Sequence, residues 1–237
     1  MPVKFKSRTA IVTGVGPGTG SALVKRFAAD GYKVAMIARS PGIMGKLGKA
    51  HENVRGYQCN VRDADSLLQT CAQIKRDMGA ASVVIHNAVA GGAGTFRDIK
   101  PELLMRNFEV NTMALLHLAQ AAGPDMIAAG EGAILATGNT MAYRGKGVFA
   151  GTAPTKAAQR ILMESIAREL GPKGVHGAYV AIDAAIDVPW TRERWPDKPD
   201  EFFCQPADIA EECYRIAHQA KSAWVFDAVI RPFGETW

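Results

Sequence analysis

The chain has 237 residues, of which 48% are hydrophobic and 22% are charged, and its formal net charge is +5. This composition suits a globular protein with one sizeable core, and no basic cluster interleaved with aromatic residues argues for nucleic-acid binding. The four cysteines form no CxxC pair, no apolar run approaches the roughly 20 residues that span a bilayer, and no signal-peptide pattern opens the chain. We therefore expect a cytoplasmic protein without a metal site.

Short apolar runs alternate with longer amphipathic stretches along the chain. Strands are predicted at residues 8–14, 33–39, 54–61, 82–88, 132–138, 177–183 and 223–233. Helices are predicted at residues 19–31, 63–79, 101–122, 155–170 and 206–219. This alternation predicts an α/β fold, a single domain over residues 1–237. Its core would be a doubly wound (Rossmann) parallel sheet of about seven strands with helices on both faces, because the strands read as continuous apolar runs.

A glycine-rich turn, TGVGPGTG (13–20), separates the first predicted strand from the first helix. Gly14 permits a tight turn, and Gly18 and Gly20 leave room for a pyrophosphate to approach the backbone. The start of the helix then presents N–H groups and partial positive charge to the phosphates. The turn therefore predicts dinucleotide binding, and a purely structural turn is the alternative.

The second predicted strand ends in Ala38, Arg39 and Ser40, where an NAD-binding site would place a carboxylate. A carboxylate repels a 2′-phosphate, whereas an arginine pairs with it. The sequence therefore predicts NADP(H) in preference to NAD(H). A surface arginine at a strand end is the alternative interpretation.

These features in this order resemble the short-chain dehydrogenase/reductase family over essentially the whole chain. The glycine turn matches the family's TGxxxGxG, CNV (59–61) stands in place of its Asp-Val pair, and HNAVAGG (86–92) is similar to its NNAG segment. Asn111 looks like the asparagine of its catalytic helix, and Lys156 looks like its conserved-motif lysine. The resemblance implies a coenzyme site made of Gly14, Gly16, Pro17, Gly18, Thr19, Gly20, Arg39, Ser40, Asn60, Val61, Asn87, Ala88 and Lys156.

The resemblance breaks at the catalytic positions. The family's acid is a tyrosine four residues before the lysine, and that position holds Thr152; its serine position holds Asn139. An aliphatic hydroxyl is a weaker acid than a phenol, so Thr152 is a poor proton donor. The amide of Asn139 still donates to a carbonyl oxygen, and Lys156 still suits the nicotinamide ribose. The candidate catalytic residues are Asn111, Asn139, Thr152, Lys156 and Asp183.

Two residues are candidates for the missing proton donor. Asp183 ends the sixth predicted strand, and a carboxylate in a pocket there can have a raised pKa and act as an acid. A helix or turn cap is the alternative role. Tyr143 follows Asn139 by four residues, and packing on a loop is its alternative.

The sequence therefore predicts an NADP(H)-dependent oxidoreductase that transfers hydride between the nicotinamide and a small carbonyl or alcohol substrate. The alternative is an NADP(H)-binding sensor or partner subunit without turnover. Residues 188–205, rich in Pro, Trp and Phe, are the predicted substrate lid, although core packing or a subunit contact also explains their aromatic residues. The resemblance implies a homodimer or homotetramer formed through the helices of 101–122 and 152–170.

Overall fold

The computed structural model describes residues 4–234, and its strands follow the predicted alternation closely. The strands are β1 (Thr9–Thr13), β2 (Lys33–Ala38), β3 (Val54–Gln58), β4 (Val83–His86), β5 (Gly132–Gly138), β6 (Val175–Ile182), β7 (Ala185–Ile186), β8 (Phe203–Cys204) and β9 (Asp227–Ile230). All eight residues of β6 are buried, as expected for a parallel strand covered on both faces.

Seven strands form one parallel sheet in the order β3-β2-β1-β4-β5-β6-β9. The two remaining strands, β7 and β8, pair with each other in a small separate sheet. The strand order reverses between β1 and β4, and open α/β sheets bind ligands at the carboxyl edge beside such a switch point. The order confirms the predicted doubly wound sheet.

Helices cover both faces of this sheet. They are α1 (Thr19–Ala29), α2 (Pro41–Ala50), α3 (Ala64–Met78), α4 (Pro101–Phe108), α5 (Ala114–Ala129), α6 (Ala153–Leu170), α7 (Pro189–Arg194) and α8 (Pro206–Ala217). Side chains of α1, α2 and α8 fill one hydrophobic core, with Phe27 and Ile209 at its centre. Side chains of α3, α5 and α6 fill the other, with Leu67, Leu118 and Met163.

Three elements differ from the sequence-based expectation. The pattern does not predict α2, because its glycines obscure the helical period, yet Met44 and Leu47 bury one face of it. The predicted end of the helix at residue 122 is wrong, since α5 continues to Ala129 with Pro124 inside it. The last predicted strand, 223–233, pairs only over β9.

The described part of the chain also bears on two broader expectations. None of its helices combines the length and the hydropathy of a transmembrane segment. Within residues 4–234, no group of three His, Cys, Asp or Glu side chains is arranged to hold a metal ion. The four cysteines are free thiols.

Candidate active site

The glycine turn between β1 and α1 is packed so tightly that two of its glycines exclude any side chain. Gly14 has φ +69°, and a Cβ there would lie 2.5 Å from backbone atoms of Ala88. A Cβ at Gly20 would lie 2.5 Å from the carbonyl oxygen of Gly14. The amide of Gly14 donates to the carbonyl of Ile37 at 2.9 Å, which brings the turn beside the end of β2.

The start of α1 leaves polar groups without partners. Gly18 precedes the helix without a side-chain cap, and the first turn of the helix carries no acidic residue. The buried hydroxyl of Thr19 has no hydrogen-bond partner among the described residues. Next to it, Gly16 faces open space and Pro17 is exposed. A helix N-terminus and an orphaned hydroxyl suit an anionic group such as a pyrophosphate.

Asn87 joins the ends of three central strands at the switch point. Its side chain donates to the carbonyl of Gly14 at 3.0 Å and accepts from the hydroxyl of Thr137 at 3.0 Å. The backbone amides of Asn87 and Ala88 both donate to the hydroxyl of Thr13 at 3.2 Å. The predicted coenzyme residues after β4 therefore lie against the glycine turn.

His86, which takes the place of an asparagine in the family's motif, is a buried neutral residue. Because the Thr13 oxygen already accepts two amides, its own hydrogen donates to His86 Nδ1 at 3.0 Å. The Nε2–H of His86 then donates to the carbonyl of Val110, also at 3.0 Å. Burial lowers the pKa of His86 to about 3, so the ring carries no charge at neutral pH. The histidine thus couples the end of β1 to the helix that contains Asn111.

The residues expected at the adenosine end of the coenzyme lie at the carboxyl edge of β2 and β3. Arg39 and Ser40 are exposed, and Ser40 directly precedes the first turn of α2. The guanidinium of Arg39 is exposed to solvent and available to an anion. Val61 is buried and Asn60 is exposed beside it, so only the asparagine side chain can reach a ligand.

Lys156 lies in the second turn of α6 and is 2% exposed. Its Nζ donates to the side-chain oxygen of Gln159 at 2.9 Å and to the carbonyl of Thr137 at 3.4 Å. Burial lowers the pKa of Lys156 to about 7, because no carboxylate compensates for the loss of water. The retained lysine is therefore placed beside the end of β5, among neutral groups.

Thr152 does not point its hydroxyl toward the lysine. The hydroxyl donates to the carbonyl of Gly92 at 3.1 Å and accepts from the amide of the same residue at 3.0 Å. Both bonds fasten the start of α6 to the loop after β4. A hydroxyl has a single hydrogen, and here that hydrogen is already donated to a backbone carbonyl.

Asn111 lies in a π-helical segment, Glu109–Met113, that joins α4 to α5. It is fully buried, accepts from the amide of Ala90 at 3.0 Å and donates to Ala90 and Thr155, both at 2.8 Å. Single-turn π segments often occur at functional sites. Here the segment brings an amide side chain between the loop after β4 and the start of α6.

Asn139 and Asp183 follow the ends of the neighbouring strands β5 and β6. The side-chain oxygen of Asn139 accepts from the amide of Met141 at 3.1 Å, which leaves its NH₂ group to donate elsewhere. Thr140 donates to one oxygen of Asp183 at 2.7 Å. The other oxygen of this buried carboxylate accepts no hydrogen bond, and the guanidinium of Arg231 lies 4.0 Å from it.

Tyr143 is held away from this edge. Its hydroxyl donates to Asp227, which also pairs with Arg160 at 2.5 Å. Burial and the hydrogen bond to the carboxylate raise the pKa of Tyr143, so the phenol is a weaker acid than usual. The geometry therefore favours the alternative interpretation of Tyr143 as a packing residue.

Sequence reasoning missed one buried phenol near the site, that of Tyr179 on β6. Its hydroxyl lies only 1.8 Å from the position that a Cβ of Gly138 would take, and it has no hydrogen-bond partner among the described residues. The only available signal was the glycine that ends β5, since a strand glycine often marks a close approach. Burial raises the pKa of Tyr179 and makes it a poor proton donor.

The predicted lid has an ordered structure of its own. Arg192 pairs with Asp187 and Asp200, both at 2.7 Å, and lies 3.9 Å from the ring centre of Phe203. The ring of Phe202 contacts the rings of both Trp195 and Phe203. The lid also begins beside the glycine turn, because Val188 fills the space next to Gly18. Of the four lid aromatics, Trp190 is the most exposed.

This strand order, with a tight glycine turn at the first βα junction, defines a doubly wound dinucleotide-binding protein. A family model described as short chain dehydrogenase matches residues 8–198. The chain therefore belongs to the short-chain dehydrogenase family of oxidoreductases.

Three similar proteins illustrate the range of the family. The 3-oxoacyl-[acyl-carrier-protein] reductase MabA of Mycobacterium bovis is 30% identical over 79% of this chain and 73% of its own. An alcohol dehydrogenase from the archaeon Thermococcus sibiricus, solved with 5-hydroxy-NADP, is 25% identical with a TM-score of 0.84, over 98% and 99% of the two chains. An NADPH-bound oxidoreductase of Pseudomonas aeruginosa, which contains an atypical catalytic center, has a TM-score of 0.88 at 20% identity over 99% of both chains.

Proposed function

We propose that this protein is an NADP(H)-dependent oxidoreductase that reduces a small carbonyl compound or oxidises the corresponding alcohol. The observation that carries the proposal is the anion cradle at the start of α1. There, the glycines exclude side chains, and the buried Thr19 hydroxyl has no partner among the described residues. The alcohol dehydrogenase with the same fold that was solved with 5-hydroxy-NADP supports the choice of a nicotinamide coenzyme.

The coenzyme preference rests on the end of β2. Arg39 and Ser40 are exposed there, and neither carries the negative charge that would repel a 2′-phosphate. We assign Arg39 to the 2′-phosphate, the side chain of Asn60 and the backbone of Val61 to the adenine, and Lys156 to the nicotinamide ribose. When bound, the coenzyme supplies or accepts the hydride.

The substrate side of the site is assigned to the edge formed by β5 and β6. Asn139 donates through its free NH₂ group to the substrate oxygen. Asn111 holds the loop after β4 against α6 and supports a path for water. Residues 188–205 cover the substrate, with the exposed Trp190 as an apolar contact. We also propose a cytoplasmic homodimer or homotetramer.

Two binding measurements and one turnover measurement test this function. Calorimetry with NADPH and NADH should show tighter binding of NADPH, and equal affinities would refute the assignment of Arg39. NADPH consumption is then followed with a panel that includes a 3-oxoacyl thioester, a 3-ketosteroid and a simple aryl ketone. We expect the native chain to consume NADPH in the presence of at least one of these substrates.

The variant Thr152→Tyr separates catalysis from binding alone. If both chains bind NADPH but only the variant consumes it, the native protein is a coenzyme-binding sensor or partner subunit for those substrates. If neither coenzyme binds to the correctly folded chain, the proposed function is wrong as a whole.

A further inference from the structure

Two polar side chains of α6, Lys156 and Gln159, are buried together against β5. Lys156 is 2% exposed and Gln159 is fully buried. The lysine Nζ donates to the glutamine side-chain oxygen at 2.9 Å and to the carbonyl of Thr137 at 3.4 Å. An ammonium group has three donors, so one N–H has no acceptor within the described chain. Thr137 precedes Asn139 by two residues, which places the ammonium beside the proposed oxygen-binding edge.

Two hydroxyl groups near this edge have already donated their only hydrogen. Thr152 donates its only hydrogen to Gly92, and Tyr143 donates to Asp227. The buried phenol of Tyr179 has a pKa raised by burial. Among these side chains, Lys156 alone combines an N–H that has no acceptor within the described chain with a position next to Asn139. The ribose assigned to Lys156 would take the place of its 3.4 Å bond to Thr137.

Within residues 4–234, no carboxylate pairs with the lysine from any element packed against α6. Of the acidic groups on those elements, Glu109 pairs with Arg62, Asp227 with Arg160, Glu164 with Arg168, and Asp183 with Thr140 and Arg231, while Glu102 on α4 is exposed. From β4, the buried His86 faces the lysine as a neutral ring, since its pKa is lowered to about 3 by burial. The ammonium is therefore held by neutral acceptors.

We propose that Gln159 is a positioning residue that holds the Lys156 ammonium at the end of β5, and that Lys156 supplies the proton that Thr152 cannot. This inference rests on the proposed function. An amide oxygen can orient an ammonium group without neutralising it, whereas a carboxylate would stabilise the charged form and bind the proton more firmly.

As hydride reaches the carbonyl carbon, the π electrons of the C=O bond move to the oxygen. One N–H bond of Lys156 breaks and an O–H bond forms, which gives the alcohol and a neutral amine. The amine then regains its proton from water. A general acid is most effective when its pKa lies near the working pH, and burial lowers the pKa of Lys156 to about 7.

The first test needs no turnover. Heteronuclear NMR on the folded chain with isotope-labelled lysine follows each ammonium against pH, and the Lys156 signal is the one missing from Lys156→Met. We expect a titration midpoint near 7, because burial lowers the pKa of Lys156 to about 7. A midpoint above about 9 would place Lys156 among ordinary lysines and overturn the proposal.

Two substitutions at position 159 test the positioning role. Gln159→Glu should raise the midpoint of Lys156 by at least about one pH unit, because a carboxylate favours the charged form. Gln159→Met removes the acceptor without adding charge, so the midpoint should fall below the native value. If Gln159→Glu does not fold, Gln159→Met decides alone, and a midpoint that matches the native one refutes the role of Gln159.

The second readout is the pH profile of carbonyl reduction. The native kcat should fall about tenfold per unit above the Lys156 midpoint, and Gln159→Glu should shift this limb upward with little change in the KM for NADPH. Glu169→Gln, a surface change on the same helix, should leave the limb in place. If the fall of kcat at high pH does not follow the Lys156 midpoint, the assignment of Lys156 as the proton donor is wrong. A lysine that titrates as expected, in a chain that reduces no carbonyl, refutes the proposed function and leaves the positioning of Lys156 standing.

Discussion

The adenosine end and the hydride end of the site are built by different means. At the start of α1 the binding surface is backbone, and its shape depends on the missing side chains of Gly14 and Gly20. At the carboxyl ends of β5 and β6 the expected chemistry depends on single side chains. The first region keeps the family's pattern, whereas the second has Asn139 and Thr152 in place of the serine and the tyrosine.

This difference teaches where such a fold tolerates change. A glycine whose Cβ would lie 2.5 Å from backbone atoms cannot be replaced without moving the loop, so sterics alone preserve it. A catalytic hydroxyl can be replaced by a residue that still fits the fold. Thr152 fits because it bonds to Gly92 twice and thereby stabilises the same junction without acid chemistry.

The largest effect is expected from a side chain added to the adenosine end. Gly14→Ala should destabilise the chain by about 3 kcal/mol or more, because the residue has φ +69° and its new Cβ would lie 2.5 Å from the backbone of Ala88. NADPH affinity should be lost with it. Denaturant unfolding and calorimetry measure the two effects. Gly16→Ala is the matched control, since no atom lies within 4 Å of its added Cβ. Equal unfolding free energies for the two variants would contradict the steric argument.

The second-largest effect is expected in the pH dependence of the unfolding free energy, and it comes from His86. Its pKa is about 3 when folded and near 6.5 when unfolded, so the unfolded chain binds the extra proton between these values. The contribution of His86 is fully present above pH 6.5 and is lost as the pH falls toward 3.

The measurement is the free energy of unfolding at neutral pH and at about pH 4. The native chain should lose about 3 kcal/mol more over this interval than His86→Asn does, from a difference of roughly 2.5 pH units. Comparing the pH dependence within each variant cancels the cost of the substitution itself. His51→Asn, at the end of α2, is the control. Parallel pH dependence of native chain and His86→Asn would show that the ring is not held neutral.

The sheet, its order and the glycine turn were predictable because they depend on repeating patterns and on backbone geometry. Buried parallel strands have no polar face, so a strand such as Val175–Ile182 can be recognised from its sequence. Helix α2 was not predictable, since Gly42, Gly45 and Gly48 weaken its period. The π segment Glu109–Met113 was also hidden, because it changes the hydrogen bonding and not the composition of the helix.

The positions of the expected site residues were predictable, but their bonding was not. Motif spacing indicates Lys156 and Thr152 as site residues, but it does not indicate which acceptor their ammonium and hydroxyl groups bond to. The bond from Lys156 to Gln159 joins residues three apart on one helix, while that from Thr152 to Gly92 joins distant parts of the chain. Such choices depend on tertiary packing, which a single motif does not contain.

A moderate effect is expected at the edge of the adenosine end. Arg39→Gln should weaken NADPH binding by about tenfold or more and leave NADH binding nearly unchanged, because a guanidinium–phosphate pair is lost only with the phosphorylated coenzyme. Fluorescence titration with both coenzymes measures this. Arg76→Gln, in the last turn of α3, removes the same charge at a distance and should alter neither affinity. Equal losses of affinity for NADPH and NADH would show that residue 39 supports the loop and does not contact the 2′-phosphate.

The smallest effect concerns the hydride end and tests what Thr152 now does. Thr152→Val keeps the shape but removes both hydrogen bonds to Gly92, so it should lower the unfolding free energy by about 1 kcal/mol. Thr152→Ser retains the hydroxyl and should cost less than Thr152→Val. Urea unfolding of the three chains gives the comparison. If valine and serine cost the same, the hydroxyl does not anchor α6 to the loop after β4. The position would then have lost the family's acid without gaining the structural bond that explains its replacement.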